Sequence, residues 1–256
     1  MTSSPATPRT FGSLCQLTQL LAFMAIATGL LISAAMARGE DVLPVKVFSN
    51  LRAGQKQTVV LYGTSLTAGG AWAVAMKEWF EAQFPGQVSF FNAAGPGQNS
   101  DWGLLHLQER VLSHLPDLVV AEFSYNDAHE KFKMPVSRGA ANLGKIVDAI
   151  KASRPDCDIV LQVMNVGWDA PNGKLSQSVR PELSAFNENY RTYAATKGLP
   201  FIDHFSVWLK LKESDQSRYQ RFVPDGTHPS KEGSLAVTWP TIKALLERAD
   251  AAAKRK

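Results

Sequence analysis

The chain has 256 residues, 45% of them hydrophobic, a formal net charge of +4 and two cysteines. That length suits one α/β domain with a core of its own, and the composition excludes a disordered or collagen-like chain. The charge is mild and comes in part from Lys254-Arg255-Lys256, and no basic stripe with interleaved aromatics occurs, so nucleic acid is not expected as a partner.

The first residues have the order of an export signal. Arg9 is the only basic side chain ahead of the apolar run from Leu20 to Ile32, and Ala35-Met36-Ala37 behind it fits a signal-peptidase site. Residues 1–37 are therefore expected to be a cleaved signal peptide, which directs the protein to the periplasm or the extracellular medium. The alternative is an uncleaved anchor, since the run lies near the lower length limit for a membrane span. After cleavage no stable span is expected. Cys15 precedes the apolar run, the wrong place for a lipid-modified cysteine, and Cys157 alone then remains, so no intramolecular disulfide can form. Residues 38–56 read as an N-terminal extension, 57–250 as the folded domain and 251–256 as a basic tail.

From Thr58 onward, short β-branched runs alternate with longer helical patterns, which predicts a parallel sheet with helices on both faces. The first strand, Thr58 to Tyr62, runs into Gly63-Thr64-Ser65-Leu66-Thr67. A serine hydroxyl thus sits on the turn at a strand's carboxyl end, where open α/β sheets place their chemistry. Ala71 to Phe80 has apolar positions at helical spacing. The second strand, Val88 to Asn92, leads to Ala93-Ala94-Gly95-Pro96-Gly97-Gln98-Asn99, whose glycines let a backbone N–H approach a substrate closely. Asn99-Ser100-Asp101 is a capping cluster for a helix reaching about His114. A third strand, Leu118 to Phe123, precedes Ser124-Tyr125-Asn126-Asp127, where the Asn126 amide can donate a hydrogen bond.

A helix from Ser137 to Ser153, a strand from Ile159 to Val163, a helix from Pro181 to Lys197 and a strand from Pro200 to Ile202 continue the alternation. The strands lack polar alternation, as strands buried on both faces do. Val166 to Arg180 is irregular, and reads either as a lid or specificity loop or as a solvated excursion. Asp225-Gly226-Thr227-His228-Pro229 follows, and a last helix begins after it, which Pro240 should kink or split.

Ser65, Asp225 and His228 are the residue types of nucleophilic catalysis. A serine needs a base to take its proton, and a carboxylate three residues before a histidine can orient the imidazole. Trp102, Tyr125 and Trp168 are candidate walls of a substrate pocket. His129 with Glu130 lacks any ligand spacing such as HExxH, so no metal is expected. His106 and His114 read as surface or helix-end residues, and His204 as a cap after Asp203.

The four blocks, Ser65 in its turn, then the glycines, then Asn126-Asp127, then Asp225 to His228, follow one another behind strand-like segments. In this the chain resembles the SGNH, or GDSL-type, hydrolase family, from Thr58 to about Leu246. The resemblance implies a flavodoxin-like three-layer α/β/α sandwich around a central parallel five-stranded sheet. It implies a serine esterase that needs no cofactor. Ser65 would be the nucleophile and give one oxyanion donor from its backbone N–H. Gly97 would give a second, although Gly95 lies in the same block, and the Asn126 side chain a third. His228 would be the general base and acid, held by Asp225. Thr64 stands where the family usually has Asp, and Ser124 where it usually has Gly; neither is a catalytic position there, so altered local packing is expected. The implied substrates are small-molecule or carbohydrate esters with short acyl groups, including O-acetyl groups on polysaccharide. An O-acyltransferase acting on a sugar and a non-catalytic binding protein on the same fold are the rivals.

Overall fold

Five strands, β1 (Gln57–Tyr62), β2 (Val88–Asn92), β3 (Leu118–Ala121), β4 (Asp158–Val163) and β5 (Phe201–Asp203), form one sheet in the order β2-β1-β3-β4-β5. Every pairing is parallel, with Val60 beside Phe91 and Val119, and Val120 beside Val160. This is the doubly wound order whose topological switch point lies between β1 and β3. The computed structural model describes Met1, residues 42–171 and residues 175–255. Met1 apart, the expected signal peptide at 1–37 lies outside the described residues.

The helices follow in chain order: α1 (Val45–Arg52), α2 (Ser65–Ala68), α3 (Ala71–Gln83), α4 (Ser100–Leu105), α5 (Leu107–Arg110), α6 (Ser124–Asp127), α7 (Val136–Ser153), α8 (Leu183–Lys197), α9 (His204–Ser214), α10 (Gln216–Phe222), α11 (Lys231–Gly233) and α12 (Trp239–Ala253). Successive strand residues point to opposite faces, and the two cores divide on that period. Val59, Leu61, Val120 and Val160 pack with Phe48 of α1, Trp72, Met76 and Phe80 of α3, and Leu246 of α12. Val60, Tyr62, Val119 and Leu161 pack on the other side with Ile146 and Ile150 of α7 and Tyr190 of α8. The result is the three-layer sandwich that the sequence implied. None of the helices among the described residues is long and apolar enough to cross a membrane.

Some expectations need correction. Burial on both faces holds for β1, β3 and β4, but β2 is an edge strand and leaves Phe91 38% exposed, stacked on His114. The helix expected from Asn99 to His114 is broken at His106 and again at Val111. The Tyr62 hydroxyl donates to the Gly103 carbonyl, the acceptor that an unbroken helix would offer to Leu107. Pro240, by contrast, does split the last helical run as expected: α11 passes into a π-helical stretch, Ser234–Thr238, and the α-helix resumes as α12 with Pro240 at its second residue.

The folded unit also reaches back into the stretch read as an extension. Val47, Phe48 and Leu51 of α1 are buried against the sheet, and Arg52 makes a two-pronged ion pair with Asp250 of α12, both bonds 2.7 Å. At the other end α12 runs to Ala253, so the first residues of the expected tail are helical.

Candidate active site

The Gly63-to-Thr67 turn leaves β1 and places Ser65 at the start of α2, with Thr64 as its cap accepting from the Leu66 N–H. Beneath this turn lies a group that sequence reasoning missed. Glu122, at the end of β3, is fully buried, and its Oε1 accepts from the Thr64 N–H at 2.7 Å, the Thr64 hydroxyl at 2.9 Å and the Thr67 hydroxyl at 2.7 Å. Burial pushes this carboxyl up to about 7, against the pull of its three donors. A β-carbon at Gly63 would lie 2.4 Å from Glu122 Oε1, so only glycine lets the turn sit on the acid. The available signal was a lone acidic residue in the apolar run Leu118-Val119-Val120-Ala121-Glu122-Phe123.

Across the carboxyl edge, Asp225 to His228 forms a compact loop. Asp225 Oδ1 accepts from the N–H groups of Thr227 at 2.9 Å and His228 at 2.7 Å, and its Oδ2 lies 2.8 Å from His228 Nδ1. A carboxylate only accepts, so Nδ1 carries the imidazole proton and Nε2 is left as the acceptor. Nε2 lies 2.8 Å from Ser65 Oγ. The three sequence-predicted residues Ser65, His228 and Asp225 therefore form one hydrogen-bonded chain.

The loop after β2 comes to the same edge. The Gly95 N–H donates to the Gly63 carbonyl at 2.8 Å, which ties the loop to the nucleophile turn and takes Gly95 out of the choice between the two glycines. Gly97 has φ +74, and Pro96 beside it lines the cavity next to Ser65. Asn126 Nδ2 donates to the Gln98 carbonyl at 2.7 Å, and the amide carries a second N–H. Asp127 holds the start of α4 through the Ser100 N–H at 2.7 Å, and its carboxyl too is pushed up to about 7 by burial.

Ser65 and His228 open on a cavity of about 390 Å³ whose walls include Leu66, Gly69, Trp72, Pro96 and Met164. The expected aromatics are not among its lining residues. Trp102 packs against Tyr62 and His106, beneath Gly95. Tyr125 is buried, with the Arg180 guanidinium 4.1 Å from its ring centre. The Trp168 indole N–H donates to the Val223 carbonyl at 2.7 Å and its backbone N–H to Gly226 at 3.1 Å, so this residue grips the loop that carries His228. Trp72 is the aromatic at the cavity, placed by α3, which sequence reasoning read only as a helix.

The other singled-out residues have structural surroundings. His204 is buried between Gln162 and Thr241, and burial lowers it to about 3, while Asp203 itself caps α9. His129 accepts from the Lys131 N–H. Cys157 is buried and its thiol pushed up to about 12.

The sequence profile of the GDSL-like Lipase/Acylhydrolase family matches residues 61–236. Among solved structures, a lipase/acylhydrolase from Enterococcus faecalis superimposes with a TM-score of 0.61 at 23% identity, covering 78% of this chain and 96% of that one. A GDSL-like lipase from Bacteroides thetaiotaomicron gives 0.59 at 19% identity, covering 79% and 99%. An acetylxylan esterase from Geobacillus stearothermophilus gives 0.59 at 16% identity, covering 78% and 94%. At these identities the likenesses speak to the fold. No curated protein matches the chain significantly in sequence.

Proposed function

The chain belongs to the GDSL-like lipase/acylhydrolase family and is a carboxylic ester hydrolase, and from that premise we propose that it works through an acyl-enzyme on Ser65. The observation that carries this reading is the chain Ser65 Oγ to His228 Nε2 to Asp225, each link 2.8 Å, opening on a cavity.

Ser65 Oγ attacks the ester carbonyl carbon as His228 Nε2 takes the hydroxyl proton. The backbone N–H groups of Ser65 and Gly97 and the Asn126 amide hold the oxyanion of the tetrahedral intermediate. The carbon–oxygen bond to the alcohol then breaks, and the imidazolium returns its proton to the departing oxygen. Water attacks the acyl-serine while the same imidazole takes its proton, and Ser65 Oγ leaves with that proton as the acid is released. Asp225 stays ionised throughout and holds the imidazole in the tautomer that accepts from serine.

The substrates are esters of small alcohols or carbohydrates, and the protein acts after export, in the periplasm or the medium. Support for export comes from Arg9, the apolar run and Ala35-Met36-Ala37.

Hydrolysis of p-nitrophenyl butyrate by the mature protein, Ser65→Ala and His228→Ala tests the mechanism. Each substitution is expected to lower kcat by about a thousandfold or more, and the double variant by no more than the worse single one. Wild-type turnover surviving in Ser65→Ala would overturn the acyl-enzyme. Ester accumulating on an added sugar, in place of free acid, would move the reading to acyl transfer.

A further inference from the structure

The cavity beside Ser65 is built for hydrocarbon. Leu66, Trp72, Pro96, Met164 and Pro229 supply its walls, and the polar side chains among its lining residues are already engaged. Ser65 and His228 bond to each other, and the Ser234 hydroxyl accepts from the Trp72 N–H at 3.0 Å. No charged side chain is among the lining residues, and no fan of amides or hydroxyls that a sugar ring would need. An acetyl methyl would leave most of a space of about 390 Å³ unfilled.

Which half of the ester enters follows from the reaction. The acyl carbon stays bonded to Ser65 Oγ through the intermediate, and the cavity is walled by the nucleophile's own turn. The departing alcohol takes its proton from His228, which lines the cavity at its edge and whose side chain is 44% exposed, so the alcohol half has a direct route to solvent. Gly69 then decides how far an acyl chain can extend. It lines both this cavity and a neighbouring groove formed with Ala71, Val74, Ala75 and Leu235, where Val74 stands 59% exposed and Glu78 and Lys231 supply a charged rim. A β-carbon at Gly69 would meet only the Ser65 carbonyl, at 3.5 Å, and its φ of −104 is open to any residue. The absence of a side chain there is therefore not forced by packing, and a side chain at this position would stand at the border of both depressions.

We propose that this cavity is an acyl site for an unbranched chain of medium length, hexanoyl or octanoyl, and that Gly69 sets the length accepted. The inference rests on the acyl-enzyme reading and departs from the short-acyl expectation of the sequence.

The test is kcat/KM for p-nitrophenyl acetate, butyrate, hexanoate and octanoate, with ethyl, hexyl and octyl acetates as the matching alcohol series, on wild type and Gly69→Leu. Burying each added methylene is expected to raise kcat/KM about threefold to fourfold until the cavity is full. The octanoate-to-acetate ratio should fall at least tenfold in Gly69→Leu. A ratio flat or declining with acyl length, or unchanged in Gly69→Leu, overturns the inference while leaving the esterase reading intact; so does a chain-length gain confined to the alcohol series. A wild type inert to every ester overturns the esterase reading itself. Independently of turnover, octanoate but not acetate should shift the tryptophan fluorescence of Ser65→Ala through Trp72, and Gly69→Leu on that background should abolish the shift. Equal responses to both acids count against the acyl site.

Discussion

Glu122 shows how much a single side chain can do beneath the turn of the proposed nucleophile. Its Oε1 fixes the residue before Ser65 by two bonds and the residue two after it by a third, so the serine's backbone is held from both sides. Its Oε2 is buried without a hydrogen-bond partner among the described residues, a poor place for an anion. Burial accordingly raises the carboxyl from 4.5 to about 7, and the nearby Asp127 charge adds to the rise. A folded-state value above the unfolded one means that the native state binds the extra proton. The stabilisation is complete below the unfolded value and is lost as pH climbs through about 7. Glu122→Gln keeps a carbonyl acceptor for the three donors and removes the titration. Chemical denaturation of both proteins from pH 4.5 to 7.5 should find wild type losing stability relative to Glu122→Gln by on the order of 3 kcal/mol. His204, lowered to about 3 by burial, works in the opposite direction, with stability lost as pH falls, but it is present in both proteins and drops out of the difference. A difference constant across that pH range would mean that Glu122 is ionised throughout.

At the scale of elements, the irregular segment from Val166 to Arg180 is a brace in its described residues, although Asp169, Leu175, Gln177 and Ser178 stand exposed. None of the segment's described residues lines the cavity, and several are stitched to the loop carrying Asp225 and His228. Trp168 holds Val223 and Gly226, the Ser176 hydroxyl meets that of Thr227, and Asn165 donates to the Thr227 carbonyl at 2.9 Å. Arg180 closes the brace from below, donating to the carbonyls of Tyr125 at 2.9 Å and Ser176 at 2.8 Å. Trp168→Phe keeps a six-membered aromatic ring but removes the pyrrole ring and its donor, so it should cost about 1 kcal/mol for the hydrogen bond together with a smaller loss of packing. Because the lost bond holds the loop of the proposed base, kcat should fall about fivefold to tenfold with little change in KM, as expected where transition-state geometry alone is loosened. An unchanged kcat with the same loss of stability would reduce Trp168 to a packing residue.

This brace also marks where the sequence stops being legible. Strand runs announce themselves through β-branched residues, and the Ser65, Asn126 and His228 blocks through residue type and order, because each is encoded within a few positions. Trp168 meets Val223 across 55 residues, and no local period records that. Helix α10 was missed, and α9 was marked only by the cap expected at its start, for a different reason. Lys210, Lys212, Glu213 and Asp215 break the apolar pattern, and Trp208, Tyr219 and Phe222 are the fully buried hydrophobic side chains, with Phe205 and Leu211 packed beside them. Helix α1 was within reach, since Val47, Phe48 and Leu51 share one helical face between Pro44 and Gly54.

Over the whole molecule, the proposed catalytic site and the α1–α12 closure sit at opposite ends of the sheet. The reacting loops gather at the carboxyl ends of β1, β2 and β3, astride the switch point. At the amino ends, Asp117 accepts from the Thr58 N–H at 2.8 Å and pairs with Arg154, while Asp158 accepts from the Val47 N–H at 2.9 Å. Helix α1 bridges that end and α12, so two segments nearly two hundred residues apart close one face of the sheet over a single aromatic cluster. Phe48 is its centre, fully buried, 5.8 Å from the Phe80 ring and 6.1 Å from that of Phe84. Phe48→Ala removes a buried ring from a packed site, which typically costs about 3–5 kcal/mol, or roughly 10 °C in a domain of this size. The ring contacts of Phe48 are with Trp79, Phe80 and Phe84 and not with Ser65, Asp225 or His228, so kcat at a temperature where the variant is still folded should match wild type. A variant that kept its melting temperature would show that α1 is an ornament on the domain. One that lost kcat in proportion to stability would show that the two ends of the sheet are mechanically coupled, and the separation argued from the topology would fail.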